Sequence, residues 1–301
     1  MNAPVAFLVF ARPEQTARVF AEIAKARPST LLIVADGPRS DRPEDPANCA
    51  AVRKIVERVD WPCRVFRNYA ASNMGIKDRA RSGLDWVFSL VEEAVILEDD
   101  CLPHPEFFPF CGEMLRRYRD DERVMMIAGT NYLGAWKRKK QDYHFSYFGT
   151  VWGWASWRRA WSLNDVDVKL WANPEIHRRI KDNIIDTERY LERCRLYDEC
   201  FMRKRADTWD KQWEFACLVH SGLTVVPSVN LIRNIGFGTA AAVHTTELDS
   251  PLADMAAGGL EFPLRPSEFV VVDRDYDRHA DLSTRQALAR PSPMNGREPR
   301  K

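Results

Sequence analysis

The sequence predicts an α/β protein in which a Rossmann-like, mostly parallel central sheet is flanked by helices. Its first hundred residues alternate between short β-branched runs and segments with helical periodicity, the pattern of a sheet built from βαβ units. The apolar run at residues 94–97 then ends abruptly in three acids, Glu98, Asp99 and Asp100. Acids at the carboxyl end of a buried strand are typical of the ligand-binding edge of such a sheet.

Each helix and strand of this first part is predicted by a pattern in its own segment of the sequence. Pro13 suits the first turn of a helix, and Val19 and Ile23 recur at helical spacing after it. A loop with Asn73 and Gly75 leads into an amphipathic helix. The predicted order is a strand at 5–10, a helix from Pro13, a strand at 31–35, a helix at 46–59, a strand at 63–66, a helix that includes 84–91, and the strand that ends in the acids.

The pattern is looser after the acids. We expect a helix at about 105–118, a strand at 124–128, a tryptophan-rich stretch at 147–161, a helical and charge-rich segment at 164–207, and a strand at 223–226. Residues 282–301 carry few large apolar groups, which predicts a disordered tail. The chain is therefore interpreted as one domain over 1–281, with a donor-binding half at about 1–130 and an acceptor-side half at about 131–281.

Composition excludes several classes of protein. The formal net charge of +1 gives no global field for nucleic acid, and the seven scattered cysteines lack the spacing of a zinc site or a disulfide scaffold. There is no secretory leader pattern and no apolar run of about 20 residues. These features favour a reduced, cytoplasmic protein.

Basic residues form two clusters, the run Lys137–Lys140 and a region that includes Arg178, Lys181 and Arg203. Such clusters can hold a protein against anionic lipid at the inner face of a membrane. The alternative is an exposed face that contacts only solvent.

The acidic triplet predicts a site for a divalent cation and the diphosphate that it neutralises, because carboxylates are hard oxygen ligands. The alternative is an acidic turn that caps the following helix, but capping explains only one of the acids. Arg12 and Asp36 also follow the ends of apolar strands, where an arginine can contact phosphate or base and a carboxylate can accept from a base N–H. Surface salt bridges are the alternative for both.

Five segments in order resemble a family. They are LVFARPEQ, ILEDDCLPHPEFFPF, FGTVWGWASWRRAW, TWDKQW and VPSVNLIRNIGFG, and they fall within residues 5–245. In this order they resemble the GT-A-fold glycosyltransferases of the bacterial family-2-like type, and the chain is also similar to N-acetylglucosaminyltransferase I. The chain departs from the family's pattern between Leu163 and Asp207 and after Thr246.

The resemblance implies roles at the acidic triplet. Asp100 would ligate the metal, Asp99 would meet the ribose or a metal-bound water, and Glu98 would reach the donor sugar. His244 lies in a stretch similar to the family's C-terminal loop, whose histidine is near the metal or diphosphate, and an imidazole favours Mn²⁺ over Mg²⁺. A solvated loop histidine is the alternative.

Other donor-site candidates are Asn73 and Lys77, which lie in the loop before the donor-side helix. Trp152 and Trp154 are assigned a sugar-stacking role, although tryptophans at this spacing are more often core. Gly153 between them would let the backbone approach the donor closely.

Asp210 in TWDKQW is the candidate general base, since an acceptor hydroxyl must lose its proton as it attacks the sugar. Its assignment comes mainly from the resemblance. Asp210 could instead cap the helix that follows, and Asp207 and Glu214 are the competing carboxylates.

The predicted function is a metal-dependent, inverting glycosyltransferase that uses Mn²⁺ or Mg²⁺ and acts in the synthesis of bacterial surface polysaccharide or glycoconjugate. Its expected donor is a UDP-sugar, and its acceptor a glycan or lipid-linked hydroxyl. Two alternatives stay open. One is a sugar-1-phosphate nucleotidyltransferase, although FARPEQ lacks the glycine-rich loop expected after its first strand, and the other is a non-catalytic sugar-nucleotide or glycan-binding module.

Overall fold

A computed structural model of the chain describes residues 3–202, 209–237 and 255–289. The strands are β1 (Val5–Val9), β2 (Thr30–Ala35), β3 (Arg64–Tyr69), β4 (Glu93–Glu98), β5 (Cys101–Pro103), β6 (Val124–Ala128), β7 (Tyr143–Ser146), β8 (Trp154–Trp157), β9 (Leu223–Pro227) and β10 (Ile232–Asn234). The helices are α1 (Pro13–Ala26), α2 (Asp45–Val56), α3 (Ile76–Leu90), α4 (Phe107–Arg117), α5 (Arg158–Trp161), α6 (Pro174–Asn183), α7 (Thr187–Phe201), α8 (Asp210–Val219) and α9 (Arg274–Ala289), with a 3₁₀ helix at Lys169–Ala172.

Eight strands form one sheet in the order β3-β2-β1-β4-β8-β6-β9-β7. The first four are mutually parallel, β8 runs antiparallel to both β4 and β6, and β7 runs antiparallel to β9. Because β6 and β9 are parallel, six of the eight strands share one direction. The prediction of a mostly parallel central sheet flanked by helices is confirmed.

Helices cover both faces of this sheet. Apolar residues of α1, α2 and α4 pack on one face, and those of α3, α5 and α8 pack on the other. This explains why β1 reads as a continuous apolar run, since all five of its residues are buried. A smaller core joins α6, α7 and α8 beside the main sheet.

The predicted strands and helices of the first hundred residues all form, with ends that differ by a few residues. The strand predicted at 124–128 is β6, and the one predicted at 223–226 is β9. Four short strands were not predicted, namely β5, β7, β8 and β10. β8 lies inside the tryptophan-rich stretch, where a four-residue strand gives no clear alternation.

The C-terminal helix α9 corrects the predicted start of the disordered tail. It continues to Ala289, so residues 282–289 are helical rather than disordered, and residues 290–301 lie outside the described residues. Tyr276 anchors the helix by packing against the ring of His144, with centroids 4.1 Å apart. Asp281 adds an ion pair to Arg189 of α7 at 3.1 Å. Few apolar residues are needed when one buried ring and an ion pair hold the helix.

All seven cysteines are free thiols. Within the described part of the chain, no helix combines the length and apolar character needed to cross a bilayer.

We predict that Tyr276→Ala lowers the free energy of unfolding by about 3 kcal/mol, because it removes a buried aromatic ring from the interface between α9 and the sheet. The change is measured by urea denaturation. Leu282→Ala is the matched control on the same helix, since Leu282 is exposed and its loss should cost less than about 0.5 kcal/mol. Equal losses for the two variants would contradict the packing role of Tyr276.

Candidate functional site

β1 and β4 are parallel neighbours in the sheet, so their carboxyl ends lie side by side. The chain places β2 and β3 on one side of β1 and then returns to form β4 on the other side. The carboxyl ends of these two parallel neighbours lie at one edge of the sheet, which is the edge where α/β sheets of this kind bind ligands. Arg12 follows β1 here, and Asp99 and Asp100 follow β4.

Arg12 is bound between the two aspartates. Its Nη1 donates to Asp99 Oδ1 at 3.1 Å and to Asp100 Oδ2 at 2.7 Å. The backbone N–H of Phe10 donates to the second oxygen of Asp99 at 3.1 Å. The structure therefore brings together three of the residues predicted at this edge, and both aspartates are buried.

The site carries an excess of negative charge. Burial raises the pKa of Asp99 to about 6, although Arg12 opposes the shift. Burial, Asp100 and Asp99 together raise the pKa of Glu98 well above its ordinary value. For Arg12, burial lowers the pKa, but Asp99 and Asp100 outweigh it and raise the pKa overall. One guanidinium thus faces three adjacent acids.

The loop after β10 covers Asp100. The N–H of Ile235 donates to the carbonyl oxygen of Asp100 at 2.8 Å. A Cβ on Gly236 would collide with the Asp100 carboxylate, so this position needs glycine for close approach. The same loop leads toward His244, the predicted metal or diphosphate contact, which lies outside the described residues.

Asp36 has a different environment from the one predicted. Its carboxylate accepts from the N–H of Gly37 at 2.8 Å, the N–H of Met74 at 3.0 Å and Asn73 Nδ2 at 2.9 Å. Burial raises its pKa, although the N–H groups of Met74 and Gly37 stabilise the charged form. Asp36 and Asn73 therefore join two loops at the end of β2, and Lys77 lies half-buried in the first turn of α3.

The tryptophans divide between the core and the site. Trp154 is fully buried and packs against Trp161, Trp209 and Trp213, with centroids 6.2, 6.0 and 5.8 Å away. The sugar-stacking prediction is wrong for Trp154, since neither ring face is accessible. Trp152 is only half-buried and lies edge-on to Phe237 at 5.8 Å.

Gly153 serves packing rather than ligand approach. Its φ is +59°, and a Cβ there would strike the side chain of Ile232 in β10. Glycine is therefore required because the backbone is left-handed and β10 crosses close to it.

Asp210 is the first residue of α8, and the residue at the helix cap is Trp209. It is half-buried, and its Oδ2 lies 3.0 Å from the Nζ of Lys211. It is close enough to Glu98 for its charge to contribute to the raised pKa of that acid. The first turn of α8 thus carries a carboxylate whose charge acts on one of the acids of β4.

Glu214 is held in a structural ion pair. Arg193 Nε lies 2.5 Å from its Oε1, and the hydroxyl of Tyr197 donates to the same oxygen at 3.1 Å. Burial raises the pKa of Glu214, but Arg193 and Lys211 outweigh it and lower the pKa overall. These contacts disfavour Glu214 as a base, while Asp207 lies outside the described residues.

Sequence reasoning missed Lys211 and Gly236 as parts of the site. Lys211 could have been noticed because it follows Asp210 directly. The sequence around position 236 does not show that a glycine is required there. The requirement comes from the Asp100 carboxylate, which is distant in sequence and leaves no room for a Cβ.

Among the described residues, no group of three or more histidine, cysteine, aspartate or glutamate side chains has the geometry of a metal site. Arg12 supplies the positive charge beside Asp99 and Asp100. The acids outnumber this one guanidinium, and buried carboxylates in excess are suitable partners for a divalent cation.

Comparisons with known proteins leave the family open. No protein-family model and no curated protein matches the chain. A 4-diphosphocytidyl-2C-methyl-D-erythritol synthase from Anaerococcus prevotii DSM 20548 has a TM-score of 0.34 and 11% identity, over 54% of this chain and 74% of that one. A protein assigned provisionally as a nucleotide-diphospho-sugar transferase, from Desulfovibrio desulfuricans G20, has a TM-score of 0.32 and 12% identity, over 56% and 68%.

A UDP-glucose pyrophosphorylase solved in complex with UDP-glucose has a TM-score of 0.26 and 12% identity, over 48% of this chain and 63% of that one. At values this low, the likeness does not assign an activity to the chain.

We predict that Arg12→Met, studied without divalent cations, lowers the free energy of unfolding by about 3 kcal/mol at pH 7.5, because it leaves buried carboxylates unpaired. The pKa of Asp99 is raised to about 6 in the fold, above the unfolded value near 3.9. The cost should therefore be largest above pH 6 and should shrink as the pH falls toward 4.

Urea denaturation across this pH range measures the effect, with Arg12→Lys as the charge-preserving control. A loss of the same size at every pH would contradict the ion pair as its cause.

Proposed function

We propose that the chain is a metal-dependent glycosyltransferase that moves a sugar from a nucleoside-diphosphate sugar to an acceptor hydroxyl with inversion. One observation carries the proposal: Arg12 pairs with two of three adjacent acids at the carboxyl ends of β1 and β4, and the charge of Asp210 on α8 acts on the third acid, Glu98. This cluster of charges supports a donor site with a base beside it.

The donor end of the cluster suits a diphosphate. Asp100 would hold Mn²⁺ or Mg²⁺, with His244 as a further candidate ligand, and Asp99 would meet the ribose or a metal-bound water. When bound, the ion would neutralise the charge that develops on the departing nucleoside diphosphate. Arg12 is oriented by both aspartates, and a guanidinium at this place is a suitable partner for phosphate oxygens. Glu98 would accept from a hydroxyl of the donor sugar.

The acceptor end suits proton transfer. Asp210 takes the proton from the acceptor hydroxyl while the acceptor oxygen bonds to the anomeric carbon and the bond from that carbon to the diphosphate breaks. Lys211 stabilises the ionised Asp210 from 3.0 Å. A single displacement of this kind inverts the anomeric centre.

A UDP-sugar is the proposed donor, and a glycan or lipid-linked hydroxyl the proposed acceptor, in the synthesis of bacterial surface polysaccharide or glycoconjugate. The class of reaction is tested with a panel of sugar nucleotides and Mn²⁺. Slow release of nucleoside diphosphate supports transfer. Triphosphate formation that depends on pyrophosphate would instead indicate a nucleotidyltransferase, and binding without turnover a non-catalytic module.

We predict that Asp100→Asn weakens Mn²⁺-dependent binding of a nucleoside diphosphate by at least tenfold, because an amide oxygen carries no charge to offset the cation. Isothermal titration calorimetry measures the change. Asp120→Asn is the matched control, since Asp120 is an exposed acid in the turn after α4. Unchanged affinity in a folded Asp100→Asn variant would remove Asp100 from the metal site.

We predict that Asp210→Asn lowers turnover by about 100- to 10,000-fold while donor affinity changes little, because the variant keeps the side-chain volume but loses the base. Donor hydrolysis and transfer assays measure turnover. Glu214→Gln is the control and should affect stability more than turnover, since Glu214 is paired with Arg193 and Tyr197. Near-normal turnover by Asp210→Asn would overturn the assignment of the base.

A further inference from the structure

An exposed surface outside the site combines cations with apolar side chains. The loop before β7 carries Arg138, Lys139 and Lys140, all exposed. Beside it, Phe262, Phe269 and Val271 expose 42%, 64% and 61% of their surface. We call these six residues the docking surface.

The two parts of the docking surface are fixed against each other at both ends. Arg265 donates to the carbonyl oxygens of Arg138 at 2.7 Å and Lys139 at 2.9 Å. Lys137 Nζ lies 2.7 Å from Asp273 Oδ2. The apolar residues therefore belong to a segment that the basic loop holds in place.

Two acids near the basic loop pair with Arg265 and Lys137, so they do not neutralise the other three cations of the loop. Asp142 is buried and binds Arg265 at 2.7 Å, just as Asp273 binds Lys137. Within the described residues, Arg138, Lys139 and Lys140 form no ion pair. The exposed acids of the segment are Glu261 and Glu268, so three consecutive cations face two separated acids.

The docking surface lies at the same edge of the sheet as the candidate site. The loop leads directly into β7, whose first residue Tyr143 pairs with Pro227, the last residue of β9. β9 has the same direction as β1 and β4, so its carboxyl end lies at the edge that carries Arg12 and the acids.

We propose that this docking surface binds the face of an anionic lipid bilayer. The cations meet the headgroups, and the phenylalanine and valine side chains enter the boundary between headgroups and acyl chains. Val271 offers no stacking face to a base, and the net charge of +1 provides no field for a polynucleotide. A bilayer therefore fits the surface better than nucleic acid does.

Binding to vesicles tests the proposal without any enzymatic assay, so its failure is separate from failure of the proposed reaction. The full chain is sedimented with phosphatidylcholine vesicles that contain or lack phosphatidylglycerol. We expect binding only to the anionic vesicles, and we expect it to weaken as salt is added.

The variant Arg138→Gln/Lys139→Gln/Lys140→Gln should lower the partition coefficient by about 100-fold, and Phe269→Ser/Val271→Ser by at least tenfold. The control Arg178→Gln/Lys181→Gln/Arg195→Gln makes the same charge change at exposed positions of α6 and α7 and should bind like the parent. Circular dichroism melting checks that each variant is folded.

Three results would overturn the proposal. They are no binding of the parent to anionic vesicles, equal binding to neutral vesicles, and an equal loss in the control. Tight binding of the parent to single-stranded DNA, with no vesicle binding, would assign the surface to nucleic acid instead.

Discussion

Parallel pairing of β1 with β4 is the constraint on which the candidate site depends. The pair aligns Leu8 with Glu98, so the residues that follow each strand emerge side by side. Arg12 can then bind two aspartates that are distant from it in sequence. Burial of unpaired charge costs several kcal/mol, so the acids at the end of β4 are tolerated only because β1 delivers a guanidinium to them. The ion pairs of Arg12 with Asp99 and Asp100 therefore stabilise the fold and also form the centre of the candidate site.

Local patterns were sufficient to predict the first half of the fold. β1, β2 and β4 are buried apolar runs, and α1 and α3 have periodic apolar faces, so each element is encoded where it stands. The shorter strands depend on distant partners. β7 exists because Tyr143–Ser146 pairs with β9, and β8 because it fits between β4 and β6. No pattern within four residues specifies such a register.

Part of the candidate site could also be predicted from the sequence. Strand ends identified Arg12, Asp99 and Asp100, because topology brings such ends together. The environment of a side chain is harder to predict from its type. Asp36 accepts hydrogen bonds from its own and a neighbouring loop, and Trp154 lies in a cluster of rings formed with α5 and α8. Both facts depend on segments that meet only after folding.

The ion pair between Arg189 and Asp281 has a consequence for the order in which the chain assembles. β1 to β4 and the helices between them all lie within the first hundred residues, so they can fold while the rest is still being synthesised. The face of β7 that packs on α9 must wait for α9, which is synthesised after the strands of the sheet. A chain that stalls before α9 would thus expose this face of the sheet, including His144, Ser146 and Val226, without its cover.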